Sequence, residues 1–68
     1  MSDVMESFDV GALRVRIFPT DEPDVYLVIV SDDRNYPVDV LDGETAVGMD
    51  AAIALGHEMA EVAQAKLA

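Results

Sequence analysis

A long helical pattern at the C-terminal end of the chain limits what the other residues can form. It runs from Ala46 to Ala68 and reads AVGMDAAIALGHEMAEVAQAKLA. At about 100° per residue, its apolar side chains cover well over half of the helix circumference, more than the roughly 100° stripe of a helix that packs on one surface. Because the chain has 68 residues, we expect the rest to form one small sheet on which this helix packs.

A ridge of small side chains lies within the apolar part of the helix, at Gly48, Ala52, Gly56, Ala60 and Ala63. A glycine inside a helix costs about 0.8–1 kcal/mol relative to alanine, so close packing is expected at Gly56. The favoured interpretation is that the ridge packs on the chain's own sheet. The alternative is a second helix from a symmetry-related copy.

Three segments have the residue pattern of strands. Val10–Phe18 alternates from Leu13 onwards, as in a half-buried strand, and Val25–Val30 is apolar on both faces, as in a central strand. Pro37–Leu41 is a short third strand with Val38 and Val40 facing inward, followed by a turn over residues 42–45.

The predicted fold is therefore α+β, a three-stranded antiparallel meander followed by one long helix on one face (β-β-β-α). It forms a single domain over residues 1–68, with a frayed start at 1–9, the sheet at 10–41 and the helix at 46–68. Thr45 and Asp50 are both candidate N-caps of the helix.

Charge is the strongest compositional signal. The chain has fourteen acidic residues and four basic ones, which gives a net charge of −10. A direct nucleic-acid binder needs cations to neutralise phosphates, and an anionic membrane surface requires them too, so neither partner is expected. A basic protein surface is the natural complement, and acidity that serves solubility is the alternative.

In a meander, alternate loops lie at the same end of the sheet. The predicted partner-binding acids of one end are Asp21, Glu22, Asp24, Asp42 and Glu44, with Asp50 near them, and those of the other end are Asp32 and Asp33. Each end would present carboxylates that imitate the phosphates of a nucleic acid.

Two further surfaces are candidates for contact with proteins. Arg14 and Arg16 point away from Leu13, Val15 and Ile17, and they either pair with acids or form a binding face with Phe18, Tyr26, Val28 and Val30. The alternative function, a homodimer, would use an interface of Tyr26, Val28, Ala52, Gly56 and Ala60.

Catalytic and metal-binding chemistry is not expected. His57 and Glu61 share a helix face in the segment HEMAE, but a catalytic zinc site needs a third protein ligand. The chain has no cysteine, one histidine and no glycine-rich phosphate loop, so we predict no enzyme and no cofactor. It shows neither a signal peptide nor a membrane span, so we expect a cytoplasmic protein.

The profile of fewer than 80 residues, strong acidity, no cysteine and compact α/β structure resembles phage-encoded anti-CRISPR proteins and related anti-defence inhibitors. The resemblance covers charge and size and includes no motif. It implies a stoichiometric inhibitor that occupies a basic, nucleic-acid-binding surface of a larger host complex. Small acidic antitoxins and prophage accessory proteins share this profile, and they would be regulatory or structural dimers.

Overall fold

The computed structural model describes residues 4–34 and 37–67. Four strands form one sheet in the order in which they occur in the chain, with each neighbouring pair antiparallel, and a C-terminal helix packs on one face of the sheet. The elements are β1 (Glu6–Val10), β2 (Leu13–Pro19), β3 (Val25–Asp32), β4 (Asp39–Val47) and α1 (Met49–Leu67). The α+β class, the antiparallel meander and the final helix are confirmed, whereas the prediction of three strands is wrong.

The additional strand is β1, in the segment predicted to be a frayed start. Phe8 lies opposite Val15 and Val10 opposite Leu13, so β1 adds apolar side chains to the helix-covered face. Gly11 and Ala12 connect β1 to β2, and Gly11 has a φ of 59°, which suits glycine as the first residue of a two-residue hairpin turn. Residues 1–3 of the predicted frayed segment lie outside the described residues.

Strand β4 is longer than predicted and begins later. The predicted turn at residues 42–45 lies inside it, because residues 42–47 pair with β3, which supplies partners for their backbone groups; the register shifts at Leu41. Gly43 lies opposite Ile29, where a Cβ atom would be 2.9 Å from Ile29 Cδ1. Val38 and Val40 were expected to face inward but are 43% and 65% exposed.

The helix begins at Met49, three residues after the predicted start. Gly48 precedes it with a φ of 89°, and its carbonyl accepts a hydrogen bond from Ala52 N–H at 3.0 Å. Thr45 lies in β4 and Asp50 in the first helical turn, so neither predicted N-cap is correct. Asp50 is nevertheless favourable there, because the helix N-terminus carries positive partial charge.

The core lies between α1 and the sheet. Its buried side chains are Leu13, Val15 and Ile17 of β2, Val28 and Val30 of β3, and Ala52, Met59 and Ala60 of α1. At Gly56 a Cβ atom would be 2.7 Å from Val15 Cγ1 and 3.2 Å from Phe8 Cζ. The small residues at 52, 56 and 60 therefore let the helix approach its own sheet, as the favoured interpretation predicted. Among the described residues, no helix is long and apolar enough to cross a membrane.

Candidate interaction surfaces

An arginine cluster lies where β2 begins and β3 ends. Arg14 Nε donates to Asp9 Oδ1 at 3.0 Å. Arg16 Nη1 donates to Ser31 Oγ at 2.9 Å, and both Arg16 terminal nitrogens donate to the Asp33 carboxylate. Ser31 Oγ donates in turn to Asp33 Oδ1 at 2.7 Å. The hydrogen bonds from Arg16, and then that from Ser31, lower the pKa of Asp33.

The third arginine, Arg34, lies just after β3 and binds Asp32, the last residue of that strand. Arg34 Nε donates to Asp32 Oδ1 at 2.9 Å, Nη2 donates to Oδ2 at 2.7 Å, and Arg34 N–H also donates to Oδ1. The side-chain and then the backbone hydrogen bonds from Arg34 lower the pKa of Asp32 to about 2. Asp32 is buried, and both of its carboxylate oxygens accept hydrogen bonds from Arg34.

Because of these contacts, the net charge is distributed unevenly over the molecule. The arginine cluster, defined as Asp9, Asp32 and Asp33 with Arg14, Arg16 and Arg34, carries no net formal charge. The whole net charge of −10 therefore belongs to the rest of the chain. Asp32 and Asp33, predicted to bind a partner, are held by arginines of their own chain.

The loop between β2 and β3 carries the acids that lack such partners, at about 20 Å along the strands from the arginine cluster. Asp21, Glu22 and Asp24 are exposed, and none of them has an ion pair within residues 4–34 and 37–67. Thr20 shapes the loop, because its hydroxyl donates to Val25 O at 2.8 Å and accepts from Glu22 N–H at 3.2 Å.

The start of the helix is tied to this loop. Gly48 N–H donates to Asp24 O at 2.7 Å, which brings exposed Asp50 of the first helical turn to the same end. Asp24 has a φ of 64°, a conformation that aspartate and asparagine tolerate better than most residues. We call Asp21, Glu22, Asp24 and Asp50 the acidic end.

Asp42 and Glu44 do not lie in a turn at the acidic end, as the sequence predicted. They lie within the edge strand β4, opposite Val30 and Val28, and both are exposed. The five acids expected to share one end are thus divided between a loop and a strand edge. The cause is the extension of β4 through the predicted turn.

The face of the sheet that is turned away from α1 was predicted with the wrong residues of β3. Tyr26, Val28 and Val30 were grouped with the arginines, but they face the helix, since Val28 pairs with Ile17. A strand that is apolar on both faces does not reveal which alternate set is inward. The apolar side chains that accompany Arg14 and Arg16 are Phe18, Val25, Leu27, Ile29, Val40 and Val47, and we call this surface the open face.

The alternative dimer interface is largely internal. Val28, Ala52 and Ala60 are fully buried in the chain's own core, Gly56 packs against Val15 and Phe8, and Tyr26 is partly buried beside them. A second copy could reach these residues only if the helix left the sheet.

Two polar side chains of the helix, those of His57 and Gln64, have a packing role. The ring of His57 stacks on Phe8 with centroids 4.4 Å apart, and Gln64 Oε1 accepts a hydrogen bond from Ala12 N–H at 3.3 Å. Within the part of the chain that the structure describes, no three side chains of metal-ligand type are grouped. His57 and Gln64 therefore secure the hairpin of β1 and β2 to the helix.

Comparisons with known proteins found no match to this chain among protein-family models, curated protein sequences or solved structures.

Proposed function

We propose that this protein is a non-enzymatic inhibitor of the anti-CRISPR type, which docks its acidic end on a basic, nucleic-acid-binding surface of a larger protein. The observation that carries the proposal is the separation of charge. All three arginines are held in ion pairs with Asp9, Asp32 and Asp33. The acidic end keeps its negative potential, because no cation neutralises it among the described residues.

The geometry of the loop favours binding by fixed carboxylates. The Thr20 hydrogen bonds and the Gly48–Asp24 contact hold the backbone of the loop while the carboxylates of Asp21 and Glu22 face solvent. A loop that is ordered before binding loses less conformational entropy when it docks. Exposed charges also accelerate encounter with an oppositely charged surface.

Asp42 and Glu44 extend the same charge along the edge of β4 toward the arginine cluster. Together with the acidic end they form a row along one side of the molecule, on which a basic groove could close. The partner that fits this row is a protein that itself binds nucleic acid, and we place the encounter in the cytoplasm.

The test is capture of proteins from a lysate of the source organism on the tagged chain, with and without added nucleic acid. We expect a nucleic-acid-binding protein to be captured, and to be released both by nucleic acid and by salt. The variant Asp21→Asn/Glu22→Gln should lose most of this capture.

The matched control is Glu58→Gln/Glu61→Gln, which removes the same charge from two exposed positions of the helix. It should capture the partner nearly as well as the unaltered chain. Equal capture by the two variants at every salt concentration would show that only overall charge matters, and would contradict the docking surface. Undiminished capture by a variant with Asp21, Glu22, Asp24, Asp42 and Glu44 all neutralised would contradict the function.

A further inference from the structure

The open face is a sheet surface that no described side chain covers. Val40 and Val47 on the edge strand are 65% and 69% exposed, and Phe18, Leu27 and Ile29 are half-buried by their neighbours on the same face. Gly43 lies beside the Ile29 side chain and has no side chain of its own, so the surface at this position does not project from the sheet. An apolar surface of this kind on a small protein indicates an interaction site.

The open face differs from the rest of the molecule in its charge. Of the acids within the four described strands, Asp9 alone lies on the open face, and it is paired with Arg14. Glu6, Asp42 and Glu44 have cross-strand partners on the helix-covered side. The open face is therefore neutral and largely apolar, on a chain whose net charge is −10.

We propose that the occupant of the open face is the open face of a second copy, which forms a two-fold symmetric dimer. A basic partner would find no unpaired acid there, and the arginines are already held by aspartates. An identical face offers apolar side chains to apolar side chains. It also keeps the acidic end of each copy outside the contact, so two highly charged chains can meet.

The area of the open face indicates how tightly two copies should bind. Four strands of five, seven, eight and nine residues, spaced at about 4.8 Å and rising about 3.3 Å per residue, give an area on the order of 500 Å² per copy. The two copies together would bury on the order of 1,000 Å², which is near the lower limit for a specific interface. We therefore expect a weak dimer, with a dissociation constant of about 100 μM, that dissociates on dilution to low micromolar concentration. Sheets that pack face to face in this way lie about 10 Å apart.

Salt distinguishes this contact from docking on a basic partner. Repulsion between two acidic chains is screened as ionic strength rises, while an apolar contact persists. Dimerisation should strengthen between about 0.05 M and about 0.5 M NaCl, whereas attraction between opposite charges should weaken over the same range. The dimer and the proposed function can thus fail independently.

The experiment is sedimentation equilibrium of the full chain at both salt concentrations, from about 10 to about 500 μM. We expect the mass to rise with concentration from 7.3 kDa toward twice that value. The variant Val47→Glu should raise the dissociation constant of the dimer by about tenfold or more, because it places a charge in the apolar contact. Val62→Glu makes the same change at a 52% exposed position of the helix and should leave the constant within about threefold of the unaltered chain at high salt.

A second measurement locates the contact. In a mixture of isotopically labelled and unlabelled chains, nuclear Overhauser effects between copies should involve the methyl groups of Leu27 and Ile29. A mass of 7.3 kDa at all concentrations and both salts would overturn the proposal. So would a dimer that is equally sensitive to Val47→Glu and Val62→Glu, or one whose effects between copies come from α1.

Discussion

The two faces of the sheet are built from similar residues but have different surroundings. On one face Val15, Ile17 and Val28 are fully buried beneath α1. On the other, Leu27 and Ile29 remain half-exposed between the arginine cluster and the edge strand. The comparison shows that strand residues alone do not determine burial in this chain. The helix determines it, by covering one face and leaving the other free for contact.

The largest expected effect tests that difference with the same residue type on adjacent strands. Ile17→Ala should lower the free energy of unfolding by about 2–5 kcal/mol, because it leaves a cavity in the core. Ile29→Ala should lower it by about 1 kcal/mol, since that side chain is already partly hydrated. Urea denaturation at low micromolar concentration, where the chain is monomeric, measures both.

A chain of this size has a total stability of about 3–10 kcal/mol, so Ile17→Ala could leave no folded protein. Ile17→Val is the milder form, with an expected loss of about 0.5–1.5 kcal/mol, and Ile29→Val is its control. Equal losses at the two positions would mean that α1 does not protect one face more than the other.

A smaller effect concerns how closely the helix approaches the covered face. Gly56→Ala would gain about 0.8–1 kcal/mol from helix propensity. Its new Cβ would nevertheless lie 2.7 Å from a methyl group of Val15, which is fully buried and cannot move aside easily. Because overpacking costs about 1–3 kcal/mol, we expect the free energy of unfolding to fall by about 1 kcal/mol, as measured by thermal denaturation.

Ala51→Gly, at an exposed position of the same helix, supplies the control, because it reports the propensity difference without a packing change. It should cost about 0.8–1 kcal/mol. If Gly56→Ala instead stabilised the protein, the close approach of helix and sheet would be disproved.

The arginine cluster predicts a smaller effect that depends on pH. The pKa of Asp32 is lowered from 3.8 to about 2 by its hydrogen bonds to Arg34. Its contribution to stability is therefore fully present above about pH 4–5 and is lost as the pH falls through about 2. Arg34→Gln should lower the stability at neutral pH, and the difference from the unaltered chain should diminish below about pH 4.

Carbon-13 NMR of the carboxyl groups measures this prediction directly. The Asp32 resonance should titrate near pH 2 in the unaltered chain and at higher pH in Arg34→Gln. If the Asp32 carboxylate titrates at the same pH in both chains, Arg34 does not form these hydrogen bonds with it in solution.

The smallest expected effect is on the open face itself. Val47 is 69% exposed in the single chain, so Val47→Glu should change the unfolding free energy of the monomer by no more than about 0.5 kcal/mol. Chemical denaturation at low micromolar concentration checks this. A large loss would mean that the residue supports the fold, and its effect on dimerisation would then need the NMR measurement to interpret.

The sequence permitted much of the fold to be predicted, and the errors have particular causes. The alternation of Leu13, Val15 and Ile17 predicted which side of β2 is buried, and the helical pattern predicted α1. The segment Asp42–Thr45 resembles a turn, yet pairing with β3 extends β4 through it. Strand β1 was missed because five residues with two apolar positions carry a weak signal until Gly11 turns them onto β2.

The candidate surfaces were less predictable than the elements. The acids of the loop at residues 20–24 are where the sequence placed them, because a loop between adjacent strands is a local feature. Asp32 is also held locally, by Arg34 two residues further along the chain. The partner of Asp33 is Arg16, and this contact depends on how β2 and β3 align, which local residues do not encode.

By itself, the sequence determined the net charge of −10, the helix, the two central strands and the supply of small residues for a close contact. The tertiary structure decided which side of Val25–Val30 faces the helix, because that segment is apolar at every position but one. It also decided where the charge is neutralised and where it remains, since the pairing of β1 with β2 and of β2 with β3 brings Arg14 to Asp9 and Arg16 to Asp33. Composition and periodicity are properties of the local sequence, whereas the faces of the sheet are made by the pairing of strands and the packing of the helix on them.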